Sequence, residues 1–311
     1  MRWGGPAVAL VAAALPAAAL QSEVERDAFV EWVLPRESAW RGETLRVSVR
    51  IGLEQGFLAE RLVQPFRRRL DLPVRLLLPG LAADDCLGAA HVPGAEGLEF
   101  ALEEDVARLR EVDAREVDGA RYRVFEHDLD LHPGCVGALE LPAPELVLTT
   151  AERFDTDVFG NRTPVEPLER VRVGAAATLF VRALPEEGRP DDFSGGVGTF
   201  TLAASARSAA VPLGQGFLFD LSVEGRGDLA AIEAPRLDDL EGLRVRGRLE
   251  HLEPGRRTFT YELVPTSARV RGVPGVALVV FDPERGDWRS GRMRRVFGSA
   301  ADATPSQTSA T

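Results

Sequence analysis

Hydrophobic and polar positions alternate in twos along much of this chain. Phe217, Phe219, Leu221 and Val223 alternate with Leu218, Asp220, Ser222 and Glu224, and Phe259, Tyr261 and Leu263 with Thr258, Thr260 and Glu262. Val47, Val49 and Ile51 keep the same spacing, and Val276, Leu278 and Val280 alternate with Ala277, Val279 and Phe281. Side chains at every second position of a strand share a face, so this pattern predicts strands with one packed side. The segments are short and separated by Gly-Gly, Pro-Gly and Asp-Pro pairs, which predicts a sandwich or barrel. Helical spacing is confined to Phe57–Arg69 and Glu103–Glu111, expected as excursions from a β scaffold.

The chain also repeats itself. Gly42-Glu43-Thr44-Leu45 opens one alternating run and Gly214-Gln215-Gly216-Phe217 another. Gly119-Ala120-Arg121-Tyr122 leads through Leu131-His132-Pro133 to Leu141-Pro142-Ala143-Pro144. Gly255-Arg256-Arg257 leads through Leu263-Val264-Pro265 to Val273-Pro274. The fold expected is all-β, with two immunoglobulin-like β-sandwich domains in tandem, the first enlarged by insertions. Residues 27–184 form the first domain and 193–298 the second. The stretch 185–192, rich in Pro, Gly and charge, reads as a linker, and the Ala/Ser/Thr-rich tail 299–311 as disordered.

Composition alters this picture mainly at the N-terminus. Arg2 precedes an apolar run from Ala7 to Leu20 that ends in Ala17-Ala18-Ala19, which reads as a secretory signal over residues 1–19. No later apolar run reaches the length of a membrane span, so the mature chain is expected to have none. The net charge is −11 and all 37 basic residues are arginine, which argues against nucleic acid as a partner. Cys86 and Cys135 are a candidate disulfide in an exported protein. The alternative is two separate buried thiols.

From the linker onward, motifs accumulate. Phe193-Ser194-Gly195-Gly196-Val197-Gly198-Thr199-Phe200 resembles the FSG-x-VG-x-F opening of a BatD (oxygen-tolerance) domain. Val223-Glu224-Gly225-Arg226-Gly227-Asp228-Leu229 is similar to the family's strand and G-x-G-N-L turn, with Asp228 in place of Asn. Ala234-Pro235-Arg236-Leu237, Gly255 to Tyr261 and Phe281-Asp282-Pro283 follow in the family's order. The resemblance implies a periplasmic protein of an aerotolerance operon that partners von Willebrand A-type membrane proteins linked to a MoxR-type ATPase. It also implies a C-terminal transmembrane helix, which this chain is expected to lack. The physical content of the motifs is structural. Phe193, Ser194, Gly195, Gly198, Gly225 and Gly227 are expected in turns, and Pro235, Pro265 and Pro274 at strand ends.

The candidate chemistry is sparse. Glu126, Asp128, Asp130 and His132 would share one face of a strand, but a straight strand spaces them about 6.6 Å apart. They read as a solvated face rather than a metal centre. None of the four histidines, His91, His127, His132 and His251, has zinc-motif spacing. Arg67-Arg68-Arg69 reads as a solvated cluster, and Asp84-Asp85, Asp191-Asp192 and Asp238-Asp239 as turns. No catalytic residue and no cofactor is expected. The function that follows is a non-enzymatic protein-interaction or scaffold module of the cell envelope. The alternative is a secreted carbohydrate-binding or adhesion module, if Trp32, Trp40 and Trp288 form an exposed row.

Overall fold

The computed structural model describes residues 26–292, apart from 82–83, 93, 95, 207–210, 238–239, 271 and 274. The stretches 1–19 and 299–311, read above as a signal and a tail, lie outside the described residues, as do Asp238-Asp239, Pro274 and residues 293–298. What is described is all-β.

The first part of the chain forms β1 (Ala28–Val33), β2 (Ser38–Trp40) and β3 (Leu45–Glu54), then a short helix α1 (Gln55–Glu60). Next come β4 (Val74–Leu77), β5 (Leu87–His91), β6 (Leu98–Leu102), β7 (Asp105–Val117), β8 (Ala120–Pro133) and β9 (Gly137–Leu141). β10 (Glu145–Thr150), β11 (Arg153–Thr156), β12 (Arg162–Val165), β13 (Leu168–Val173) and β14 (Ala177–Arg182) complete it. Residues 183–192 contain no strand. The second part forms β15 (Phe193–Ala206), β16 (Phe217–Gly227), β17 (Leu243–Glu253), β18 (Arg256–Pro265), β19 (Ala277–Asp282) and β20 (Asp287–Arg292).

A nine-stranded sheet runs β1-β3-β8-β7-β6-β4-β10-β13, with β5 added against β8. β2-β14-β9 form a three-stranded sheet, β11-β12 a hairpin, and β17-β18-β16-β15-β19-β20 a six-stranded sheet. Within the last, β15 pairs with β19 at Phe193 and Val197, then turns to β16 from Gly198 onward. Buried hydrophobic side chains fall into two clusters. One includes Val49, Ile51, Phe125, Leu146 and Leu179, the other Phe219, Leu221, Phe259, Tyr261 and Leu278.

The sequence repeat has a counterpart in strand pairing. β1-β3-β8-β7 and β15-β16-β18-β17 are both antiparallel runs with the same chain order of strands. Leu45 faces Leu131 in one and Phe217 faces Leu263 in the other. Gly42 N–H donates to Pro133 O at 2.8 Å, and Gly214 N–H to Pro265 O at 3.0 Å. The repeated Gly and Pro thus join the start of one strand to the end of its neighbour.

Two expectations change. Of Phe57–Arg69, only the start is helical: Glu54 caps α1 by accepting from Gly56 N–H (2.9 Å) and Phe57 N–H (2.6 Å). The helix then stops because Val63 N–H bonds Thr149 O (2.8 Å) and Pro65 cannot supply a helical donor. Glu103–Glu111 is not a helix but the β6–β7 turn and the start of β7, with Glu103 at φ 51°.

The motif glycines are also placed differently. Gly195 and Gly198 lie within β15, and Gly225 and Gly227 within β16, not in turns. Their role is to make room: a Cβ would lie 2.5 Å from Ala231 O on Gly195, 2.2 Å from Arg226 O on Gly198, 2.1 Å from Thr199 O on Gly225 and 2.5 Å from the Phe200 ring on Gly227. Phe193 and Ser194 are likewise strand residues, and the buried Ser194 hydroxyl donates to Val279 O at 2.6 Å. Pro265 ends β18, and Pro235 O accepts from Tyr261 OH at 2.7 Å.

Candidate interaction site

The β11–β12 hairpin presents an apolar tip. Asp157 organises it: one carboxylate oxygen accepts from Phe159 N–H (2.8 Å) and Asn161 N–H (2.9 Å), the other from Asn161 Nδ2 (2.8 Å). The Asn161 side-chain bond, followed by its backbone bond, holds the Asp157 carboxyl below the usual carboxylate range. The backbone closes the same loop through Asp157 N–H to Asn161 O and Gly160 N–H to Asp157 O, both 3.0 Å. With the polar groups turned inward on themselves, Val158 and Phe159 are left 94% and 87% exposed. Directly after the turn, Arg162 stacks on Phe154 at 4.2 Å and donates to Glu60 O at 3.2 Å, tying the finger to α1. The sequence signal was an apolar pair set between Asp, Gly and Asn, which sequence reasoning passed over.

The acidic row on β8 is a ladder of pairs. Glu126 binds Arg50 (2.7 Å) and Arg110 (2.9 Å), and Asp128 accepts from Ser48 (2.7 Å). Asp130 takes both arms of Arg46 at 2.8 Å, which raises the Arg46 pKa, and His132 Nδ1 lies 3.1 Å from Thr44 Oγ1. Each carboxylate is thus drawn to its own cross-strand partner instead of to a common point. Among the described residues, no group of three or more His, Cys, Asp or Glu side chains is arranged to hold a metal ion. Arg67, Arg68 and Arg69 are exposed, with Arg68 paired to Glu99 at 2.7 Å. Asp84 accepts from Cys86 N–H at 2.8 Å, as a turn residue does.

Cys86 and Cys135 are bonded, with Cα atoms 5.1 Å apart, at the start of β5. At the other end of β5, His91 meets His127, a contact that histidine spacing did not reveal. His127 is 2% exposed and packs edge-on against Phe100, with ring centroids 5.5 Å apart. Its Nδ1 lies 3.2 Å from Arg108 O and its Nε2 3.2 Å from His91 Nδ1. A carbonyl only accepts, so the His127 proton sits on Nδ1 and His91 donates to Nε2. Burial pushes both imidazoles below the ordinary histidine pKa.

Trp32, Trp40 and Trp288 are engaged and partly buried. Trp32 donates to Pro142 O at 2.8 Å. Trp40 meets Phe281 edge-on at 5.0 Å, donates to Pro283 O at 3.2 Å and carries the Arg182 guanidinium 4.0 Å over its ring. Trp288 packs edge-on against Phe281 and Phe193. Trp40, Phe281 and Trp288 thus join the first part of the chain to the second and form no exposed row. No helix among the described residues is long and apolar enough to cross a membrane.

No protein-family model matches this chain, and no curated protein sequence matches it.

Proposed function

We propose that this is an exported BatD-type protein of the cell envelope that acts by binding other proteins, not by catalysis, and that it is built as two immunoglobulin-like sandwiches in tandem. The tandem plan is supported by the repeated pairing orders β1-β3-β8-β7 and β15-β16-β18-β17 and by the passage of β15 from β19 to β16. Export is supported by the signal-like N-terminus and by the Cys86–Cys135 bond, since disulfides persist in oxidising compartments.

The observation that carries the binding role is the finger. Val158 and Phe159 stand almost fully in water on a turn whose polar groups are internally satisfied. Covering such side chains in a partner's socket contributes about 1.5–3 kcal/mol each. The partner expected is a von Willebrand A-type envelope protein. The test is a pull-down from envelope extract with the intact chain and with a Val158→Asp/Phe159→Asp variant. A protein of that class should be recovered by the first and reduced about tenfold or more with the second. Equal recovery by both, or no such protein with either, rejects the proposal.

A further inference from the structure

β17 is the last strand of the six-stranded sheet, and it pairs with β18 alone. Among the described residues no strand pairs with its other edge. Leu249 and Leu252 are 74% and 54% exposed there. An open strand edge with apolar side chains is a template for another strand.

The order of charges along β17 says which strand fits. Arg244, Arg246 and Arg248 precede Leu249, and Glu250 and Glu253 follow it. Read backwards, the strand offers acid for base beside Leu249, where Glu250 takes the place of Arg248. We propose that β17 pairs antiparallel with β17 of a second copy, about a two-fold axis through Leu249. In that register Leu249 faces its own counterpart, and Arg248 of each copy faces Glu250 of the other. Gly247 then opposes His251. Opposed residues of antiparallel strands lie about 4.5–5.5 Å apart, so both charge pairs and the leucine pair form directly across the seam.

Neighbouring two-fold registers fail on charge. An axis through Glu250 sets Glu250 against itself, and one through Arg248 sets Arg248 against itself. The irregularity between Val245 and Gly247 bounds the regular part of the strand on one side, and the turn at Pro254-Gly255 bounds it on the other. Leu249 is in register with Thr260, on the face opposite the buried Phe259 and Tyr261. The leucine pair therefore covers the outer face of the joined sheet, while the two charge pairs lie on its other face. In the single chain Glu250 binds Arg257 of β18 at 2.7 Å and Arg248 of its own strand at 3.0 Å. Exchanging the Arg248–Glu250 pair for its cross-strand equivalent leaves the Arg257 bond in place and loses no charge partner. A closed, isologous contact of this kind needs a self-complementary patch, which the strand supplies.

The test is a charge swap on the full mature chain. Wild-type protein should sediment as a concentration-dependent dimer. Arg248→Glu sets a new carboxylate against Glu250 twice across the axis, and Glu250→Arg sets a new guanidinium against Arg248 twice. Each variant alone should dimerise about tenfold or more weakly. An equimolar mixture of the two restores both attractions and should recover a heterodimer, which also shows that both variants are folded. A monomeric wild type at every concentration overturns the proposal. So does a dimer indifferent to both substitutions, or a mixture that stays monomeric. None of these outcomes depends on the Val158-Phe159 finger.

Discussion

In the first four-strand group the sheet continues past its fourth strand; in the second it stops there. β7 pairs with β6 over Asp105–Leu109, then with β8 from Arg110, with an irregularity between Val112 and Arg115. The edge of β8 that β7 leaves free is taken over Leu129–Pro133 by β5, an added strand fastened by the disulfide at one end and the histidine pair at the other. β17 follows β18 to the end and has no such successor. The side chains differ accordingly. In the distal half of β7, Arg110 pairs with Glu126, Glu111 with Arg123 and Arg115 with Glu31, so the edge shows water mostly charges already paired. β17 carries paired charges too, Arg246 with Glu262 and Arg248 with Glu250, but sets two exposed leucines among them. One sheet plan therefore supports either a strand edge of paired charges alone or one that adds exposed apolar side chains, and the choice lies in a few outward residues while the core is unaffected.

The largest way to break the comparison is to release β5. The bond joins residues 49 apart, and in the chain-entropy model such a loop contributes about 4 kcal/mol. A Cys86→Ser/Cys135→Ser variant should lose about that much stability in the transition of the first core in guanidinium. The second core, which has no cysteine, should melt unchanged. Hydrogen exchange at residues 49–53 follows the first and at residues 259–263 the second, clear of the tryptophans at the junction. A loss below about 1 kcal/mol would mean that strand pairing alone holds β5.

Much of this contrast was legible in the sequence. Alternation at Val47–Ile51, Phe217–Val223 and Phe259–Leu263 marks β3, β16 and β18, because a half-buried strand writes its two faces directly into the chain. The Gly and Pro positions of the repeat mark the joints between those strands. The supposed helices were not legible, because what ends α1 at Arg61 is a distant strand at Thr149-Thr150, and no local propensity reports that. The motif glycines read as turns because positive φ is shared by turns and by strands crossed by an aromatic ring. The close approach of Phe200 and of the Ala231, Arg226 and Thr199 carbonyls separates the two cases. His127 could have been found: it continues the inward series Phe125, Leu129, Leu131. Its partner His91 could not, since the meeting depends on β5 settling beside β8.

A smaller effect sharpens the equivalence of the two groups. Gly42 and Gly214 sit at φ 80° and 79°, each donating to a proline carbonyl. Alanine in that region costs about 1–2 kcal/mol from backbone strain alone. A Cβ on Gly214 meets nothing within 4 Å, whereas one on Gly42 comes 3.4 Å from Val197 Cγ2. Gly214→Ala should therefore lower stability by about 1 kcal/mol, and Gly42→Ala by at least as much. Chemical denaturation of both variants checks this. A neutral Gly214→Ala would show that the repeated glycine is not conformationally required.

The smallest effect at neutral pH is that of the histidine pair, which acts only on acidification. Both imidazoles take up a proton less readily folded than unfolded, chiefly because burial disfavours the charged form. Glu103 and Asp105 near His91, and Asp128 near His127, work in the opposite direction without reversing it. Above about pH 6.5 neither state is protonated and the pair costs nothing. As pH falls through that value the unfolded chain binds protons first, so stability declines until the folded pair protonates as well. The first proton has a place to go, the outer nitrogen of the more exposed His91, which leaves its Nδ1–H still donating to His127. The second must enter at His127 Nε2, opposite that donor, and breaks the contact. His127→Leu should therefore flatten the decline of the first core's stability as pH falls below about 6.5, with the second core as internal control. An unchanged slope would place the acid sensitivity in the surface carboxylates.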